Sequence, residues 1–120
     1  MASYDDIVPQ HPSFLGMIYG YTDVDKYVNW STYIEFCHGW KTGGIYGSEY
    51  GNKVSYTSYL QYWDGSTWMN VAHHSGYFRY SVCFRWSLAG RKAGSYRIRT
   101  VYYYKGSTHI NRTSAFIVER

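Results

Sequence analysis

Hydrophobic and polar positions alternate along most of this chain with a period of two. The longest run covers residues 77–88, where Phe78, Tyr80, Val82, Phe84, Trp86 and Leu88 share one parity and Arg79, Ser81, Cys83 and Arg85 the other. Successive strand side chains point to opposite faces, so the run predicts one long antiparallel strand with a core face and a solvent face. Residues 29–40 repeat the pattern, with Trp30, Thr32, Ile34, Phe36, His38 and Trp40 set against Ser31, Tyr33, Glu35 and Cys37. In residues 53–63, Val54, Tyr56, Ser58, Leu60 and Tyr62 alternate with Ser55, Thr57, Tyr59, Gln61 and Trp63. Asp64-Gly65 follows, a hairpin signal because both positions tolerate positive φ, and residues 66–72 should fold back on it. Residues 73–76 then link to the long run. Further on, Tyr96, Ile98, Thr100, Tyr102 and Tyr104 oppose Arg97, Arg99, Val101 and Tyr103. Gly106-Ser107 suits a two-residue turn, and residues 108–118 return as the last strand with a bulge at 111–114, where the phase slips.

Before these strands, residues 1–13 read as an N-terminal arm. Pro9 and Pro12 are tolerated at a sheet edge, and Ile7 and Val8 are free to dock on the body or on a neighbouring molecule. Residues 14–21 are expected as a first strand, residues 23–27 as a turn or a single helical turn, and Gly39 and Gly43-Gly44 to Gly51 mark a long loop. Seven or so short strands at this spacing predict an all-β, two-sheet antiparallel sandwich, a single domain over residues 14–120. The chain has 120 residues, the size of one domain with its own core, and is 22% aromatic, which is strand chemistry.

The segment Leu88-Ala-Gly-Arg-Lys-Ala-Gly-Ser-Tyr96-Arg-Ile-Arg resembles the corner before the sixth strand of immunoglobulin-like and fibronectin-like domains. There a Tyr packs its ring inward and bonds back to the chain, a role that falls to Tyr96. The pattern Tyr59-Leu-Gln-Tyr-Trp-Asp-Gly-Ser-Thr-Trp-Met-Asn-Val71, followed by Gly94-Ser-Tyr-Arg-Ile-Arg-Thr-Val101, is similar to an uncharacterised group of small secreted proteins of Gram-positive bacteria. That resemblance covers residues 53–118 and implies a secreted immunoglobulin-like sandwich with no assigned activity. The two cysteines and the His73-His74 pair stand outside its pattern.

In such a sandwich the second and fifth strands are antiparallel neighbours, and here those carry Cys37 and Cys83. If the cysteines face each other, Glu35 pairs with Arg85 and Tyr33 with Ser87 on the outside. Phe36 then meets Phe84, Ile34 meets Trp86 and Trp40 meets Tyr80 inside. Each cross-strand pair of this kind contributes roughly 0.2–1 kcal/mol, so a cross-strand disulfide on the outer face is expected. Closing about 46 residues would add on the order of 4 kcal/mol in the chain-entropy model. The alternative is two unpaired thiols that merely occupy strand positions. A catalytic Cys37 is disfavoured because His38, its sequence neighbour, points to the other face.

Charge changes the picture in one respect. Residues 1–78 carry three Lys/Arg and seven Asp/Glu, whereas residues 79–120 carry nine and one. A basic C-terminal third could attract an acidic polymer, unless its charges simply lie on solvated outer faces. His11, His38, His73, His74 and His109 show no zinc spacing, and no phosphate loop, carboxylate pair or nucleophile motif is visible. No catalytic site, metal or cofactor is expected. On the outer face, Tyr59, Gln61, Trp63, Trp68, Asn70, Arg97, Arg99 and Tyr103 form the candidate ligand-binding set. A two-residue hairpin would put Gln61 opposite Trp68 and Tyr59 opposite Asn70. Aromatic rings flanked by amide and guanidinium donors suit stacking on sugars or a flat protein epitope, although they also serve as ordinary cross-strand pairs or, with the face inverted, as core.

The expected function is therefore a recognition module for a carbohydrate or cell-surface partner. The alternative is a structural subunit of an extracellular or virion assembly that self-associates through the arm and edge strands. Nucleic acid is a weaker candidate because no dense Lys/Arg groove accompanies the aromatics. Asn29-Trp-Ser31 and Asn111-Arg-Thr113 match glycan acceptor triplets. No apolar run approaches the roughly 20 residues of a membrane span. Either the protein is cytosolic or its leader is absent from this sequence, and the Tyr, Trp, Gly and Ser enrichment points to the extracellular reading.

Overall fold

The computed structural model describes residues 2–4, 17–42 and 49–120. The expectations for Ile7, Val8, Pro9, Pro12, residues 14–16 and Gly43-Gly44 lie outside them. Among the described residues the chain forms nine strands: β1 (Ile18–Thr22), β2 (Lys26–Tyr27), β3 (Tyr33–Trp40), β4 (Val54–Trp63), β5 (Trp68–Phe78), β6 (Ser81–Ser87), β7 (Gly94–Tyr104), β8 (Ser107–Arg112) and β9 (Phe116–Val118). They make an all-β, two-sheet structure. The smaller sheet has the order β1-β3-β6, and the larger β2-β9-β7-β4-β5, with β8 also lying along β7. Pairings are antiparallel except the short β2, which runs parallel to β9. Two more strands form than the seven expected, because residues 26–27 pair instead of turning and the last strand breaks in two.

In the smaller sheet the expected register holds. Cys37 faces Cys83, Glu35 faces Arg85, Tyr33 faces Ser87, Phe36 faces Phe84 and Ile34 faces Trp86. The cysteines form a disulfide with a Cα–Cα distance of 4.1 Å, and Cys83 lies exposed on the outer face. Beside it, Arg85 Nε lies 2.9 Å from Glu35 Oε2, and its guanidinium sits 4.0 Å from the centre of the Tyr33 ring. Trp40 and Tyr80 meet only through the backbone, where the Trp40 main-chain N–H donates to the Tyr80 carbonyl at 2.9 Å: the Trp40 ring is buried, but Tyr80 does not join it inside.

That difference follows from a larger one: residues 77–88 are not one strand. Phe78 ends β5, opposite Val54 in the larger sheet, and Ser81 begins β6, opposite Gly39 in the smaller. Arg79 and Tyr80 carry the chain from one sheet to the other, leaving Tyr80 56% exposed. The inner faces of the sheets confront each other, so Phe78, Phe84, Trp86 and Leu88 are all buried on one parity. Period two survives the crossover and conceals it. Trp30 also departs from its expected inward position, because β3 starts only at Tyr33 and Trp30 lies in the preceding turn, 80% exposed.

Both hairpins of the larger sheet are shifted from expectation by local chemistry. Asp64 Oδ1 accepts the N–H groups of Ser66 at 2.8 Å and Thr67 at 2.7 Å, so the carboxylate organises residues 64–67 as a longer loop. These bonds also hold its pKa down to about 2. The strands then close on Trp63 opposite Trp68, not on a two-residue turn. Residues 73–76 continue β5 instead of linking to another strand. A register shift places Leu60 opposite Ala72 but Gln61 opposite Asn70, leaving Val71 as the extra residue of a bulge. Its carbonyl is taken up by Arg91 Nη1 at 3.2 Å. Between β7 and β8 the two-residue turn is Lys105-Gly106, at φ 49° and 76°, one position earlier than expected.

The core between the sheets is an aromatic lattice. Tyr56 of β4 stacks on Phe84 of β6 at 5.9 Å, and Phe36 of β3 meets Phe84 edge-on at 5.7 Å. Residues 2–4 close one side. Ser3 bridges to Tyr21 of the smaller sheet and Tyr4 to Thr113, in the gap between β8 and β9. This gap stands where a bulge was expected. The Tyr4 ring lies against Gly20, where an added Cβ would come within 2.5 Å of it, and its hydroxyl is 2.6 Å from that of Tyr102. At the corner before β7, Tyr96 buries its ring and donates its hydroxyl to the Lys92 carbonyl at 2.7 Å, as its sequence setting predicts. Arg120 ties the same end by donating to the carbonyls of Asn29 at 3.1 Å and Leu88 at 3.1 Å.

Candidate functional site

The outer face of the larger sheet gathers the candidate residues through the alternation of β4, β5 and β7. Val54, Tyr56, Ser58 and Leu60 of β4 are buried inward, which turns Tyr59, Gln61 and Trp63 outward. Across β5 and β7, Trp63 stands opposite Trp68, Gln61 lies between Asn70 and Arg97, and Tyr59 between His73 and Arg99. The expected partners of Gln61 and Tyr59 are thus corrected to Asn70 and His73, as a consequence of the longer loop and the bulge. The assignment of all these side chains to one outer face holds.

Side-chain contacts connect five of them. The rings of Trp63 and Trp68 lie 5.4 Å apart, and the Arg97 guanidinium sits 4.4 Å from the centre of the Trp68 ring. Arg97 Nε donates to Gln61 Oε1 at 2.7 Å, and Gln61 Nε2 donates to Asn70 Oδ1 at 2.9 Å. Gln61 is almost fully buried beneath its neighbours, whereas Trp63 remains 39% exposed and Asn70 exposed. Because both polar atoms of the Gln61 amide are engaged, the ladder holds Arg97 and Asn70 in one arrangement. This is a preformed surface with two indole rings, a guanidinium and an amide.

Arg99 extends the surface and has a partner that sequence reasoning missed. Arg112 of β8 stands directly opposite it. Burial, and then the charges of Arg112 and Arg99, pull the Arg97 pKa below its ordinary value. Elsewhere among the described residues, Lys26 pairs with Glu119, Arg85 with Glu35 and Lys105 with Glu49. None of these carboxylates serves the Arg97, Arg99 and Arg112 group. Alternation counted back from the Lys105-Gly106 turn would have placed Arg112 on this face. His73, Ser75 and Tyr77 were likewise signalled by the parity that continues upstream of Phe78. Tyr103 belongs to the sheet face but not to this cluster. It lies six residues along β7 from Arg97, about 20 Å at strand rise, opposite Ser55, whose other neighbour is Tyr77.

The remaining chemistry is structural. His38 is fully buried among Phe36, Tyr56, Phe78, Phe84 and Tyr102, and its Nδ1 lies 2.8 Å from the Tyr102 hydroxyl. Burial, with a smaller contribution from His74, pushes its pKa down to about 3, so the ring is neutral. Its Nε2 is buried without a hydrogen-bond partner among the described residues, facing aromatic rings that are at most weak acceptors. Glu35, Cys37 and Cys83 come close enough to suggest a metal cluster, but the two sulfurs are bonded to each other and the carboxylate pairs with Arg85. A second aromatic surface, absent from the sequence reading, opens at one end of the molecule. There Tyr19, Trp40, Lys41, Thr42, Tyr50, Tyr80 and Ser81 line a hollow of about 520 Å³.

No helix among the described residues is long and apolar enough to cross a membrane. No protein-family model matches the chain, and comparison with curated proteins likewise gives no match.

Proposed function

We propose that the chain is a secreted, non-catalytic recognition module with an immunoglobulin-like or fibronectin-like sandwich fold. Its outer sheet face binds a carbohydrate or cell-surface partner. The fold reading is supported by the strand orders β1-β3-β6 and β9-β7-β4-β5 together with the Tyr96 corner, whose hydroxyl bonds four residues upstream. A disulfide suits an oxidising compartment. The observation that carries the functional reading is the fixed ladder from Trp63 through Trp68, Arg97 and Gln61 to Asn70. Aromatic faces held beside oriented amide and guanidinium donors present flat stacking area and directional hydrogen bonds at little entropic cost on binding.

A glycan array probed with the wild-type chain and with Trp68→Ala tests this reading. Loss of a central aromatic anchor costs about 2 kcal/mol or more, roughly thirty-fold in affinity. Unchanged binding by Trp68→Ala, or no binding to any glycan or cell surface, would refute it. The assembly reading is less well supported, because residues 2–4 dock on their own chain through Ser3, Tyr4 and Ala2. A mass larger than one chain in solution, lost on deleting residues 1–4, would revive it.

A further inference from the structure

The recognition reading leaves the Arg97, Arg99 and Arg112 group without a purpose. Arg99 and Arg112 are directly opposed across β7 and β8, and Arg97 lies two residues along β7 on the same face. Directly opposed like charges destabilise strand pairing. The ion pairs of the described residues all lie elsewhere, so no carboxylate of that set relieves the repulsion. Arg97 is also held in place: its Nε is used by Gln61 and its plane lies over Trp68. Its terminal N–H groups make no hydrogen bond among the described residues and can be presented to a ligand.

We propose that the ligand of this face is an acidic glycan, whose carboxylate or sulfate groups are held by Arg99 and Arg112, with Arg97 bridging to a sugar ring stacked on Trp68 and Trp63. The proposal rests on the recognition reading and adds the charge of the ligand. Guanidinium groups present paired N–H donors that match the oxygens of carboxylate and sulfate, and a bound anion converts a repulsive pair into a shared site. From the Trp63 row to the Tyr59 row is four strand residues, about 13 Å, the length of a short oligosaccharide. Stacking and charge recognition can therefore engage one chain. Burial first, and then the neighbouring charges of Arg112 and Arg99, lower the Arg97 pKa.

The test compares binding of the full chain to matched polymers: dextran with dextran sulfate, and galactan with polygalacturonate. The expected result is at least ten-fold tighter binding to an acidic member than to its neutral counterpart, weakening as salt rises. Arg99→Gln with Arg112→Gln should remove most of that preference and flatten the salt dependence. Trp68→Ala should weaken binding to both members of a pair. Thermal melting of the double variant should show no loss of stability, since a repulsive pair has been removed. Equal affinity for acidic and neutral polymers, or an acidic preference that survives the double substitution, would overturn the charge proposal and leave the recognition reading standing. No binding to any of these polymers would overturn the charge proposal alone, whereas binding to inorganic polyphosphate as tight as to the acidic glycans and indifferent to Trp68→Ala would overturn both.

Discussion

Acid should unfold this protein partly through a single buried histidine. His38 lies in a cage of rings with its Nδ1 2.8 Å from the Tyr102 hydroxyl, and its pKa in the folded chain is about 3 against an ordinary 6.5. Between those values the unfolded chain holds a proton on His38 that the folded chain does not. Stability is therefore fully present above about pH 6.5 and falls as the pH drops toward 3. Each pH unit in that window removes about 1.36 kcal/mol, so the loss between pH 7 and pH 4 from this residue is about 3 kcal/mol. At a urea slope of about 2 kcal/mol per molar, the midpoint should fall by about 1.5 M. The assay is urea unfolding at pH 7, 5.5 and 4 for the wild-type chain and for His38→Leu, which fills similar space and cannot titrate. The carboxyls of Asp64 and Glu49, held low by their hydrogen bonds, titrate in both proteins and cancel, as does His74. His38→Leu should lose much less stability on acidification, whatever its stability at pH 7. Parallel pH slopes for the two proteins would refute the reasoning. Should the variant not fold, the ring resonances of His38 in the wild-type chain decide the matter: a titration near pH 6.5 in the folded protein is incompatible with the burial argument.

Two further outcomes concern the frame of the fold. Replacing Cys37 and Cys83 by Ala opens a loop of 46 residues, which should lower stability by about 4 kcal/mol in the chain-entropy model and the melting temperature by about 15 °C; an unchanged melting temperature would show that the bridge constrains little. Tyr96→Phe removes the hydroxyl that donates to the Lys92 carbonyl at 2.7 Å and should cost about 1 kcal/mol in denaturant unfolding, whereas no change in the midpoint would show that water replaces that bond.

The parts of this structure that sequence revealed are those governed by parity. Inward and outward positions of β4 and β7 follow directly from alternation, and the Cys37–Cys83 register carried Glu35–Arg85 and Phe36–Phe84 with it. What escaped were events that leave parity intact or alter it by single residues. The Asp64 carboxylate lengthened a loop that its Asp-Gly sequence marks as short, which moved the partner of Gln61, and the extra Val71 shifted that of Tyr59 by one residue more. Tyr4 reaches the core from a segment with no periodic signal, because its burial depends on a space left above Gly20 and beside Tyr102.

The passage of residues 77–88 between sheets has the most consequence for the candidate site. A single long strand would have kept β5 short, left His73 in a connection and put Tyr77 at the start of a different strand. Instead, β5 continues to Phe78 before the chain crosses. The continued strand gives the outer face its full width, with His73 beside Tyr59 and Tyr77 beside Ser55, while β8 supplies Arg112 from the opposite side. The two tryptophans of the face lie toward β5 and the loop at Asp64, and the arginines lie along β7 and β8. A ligand that uses the whole face must therefore combine a stacking surface with negative charge across the strands. The neutral-against-acidic comparison separates those two requirements.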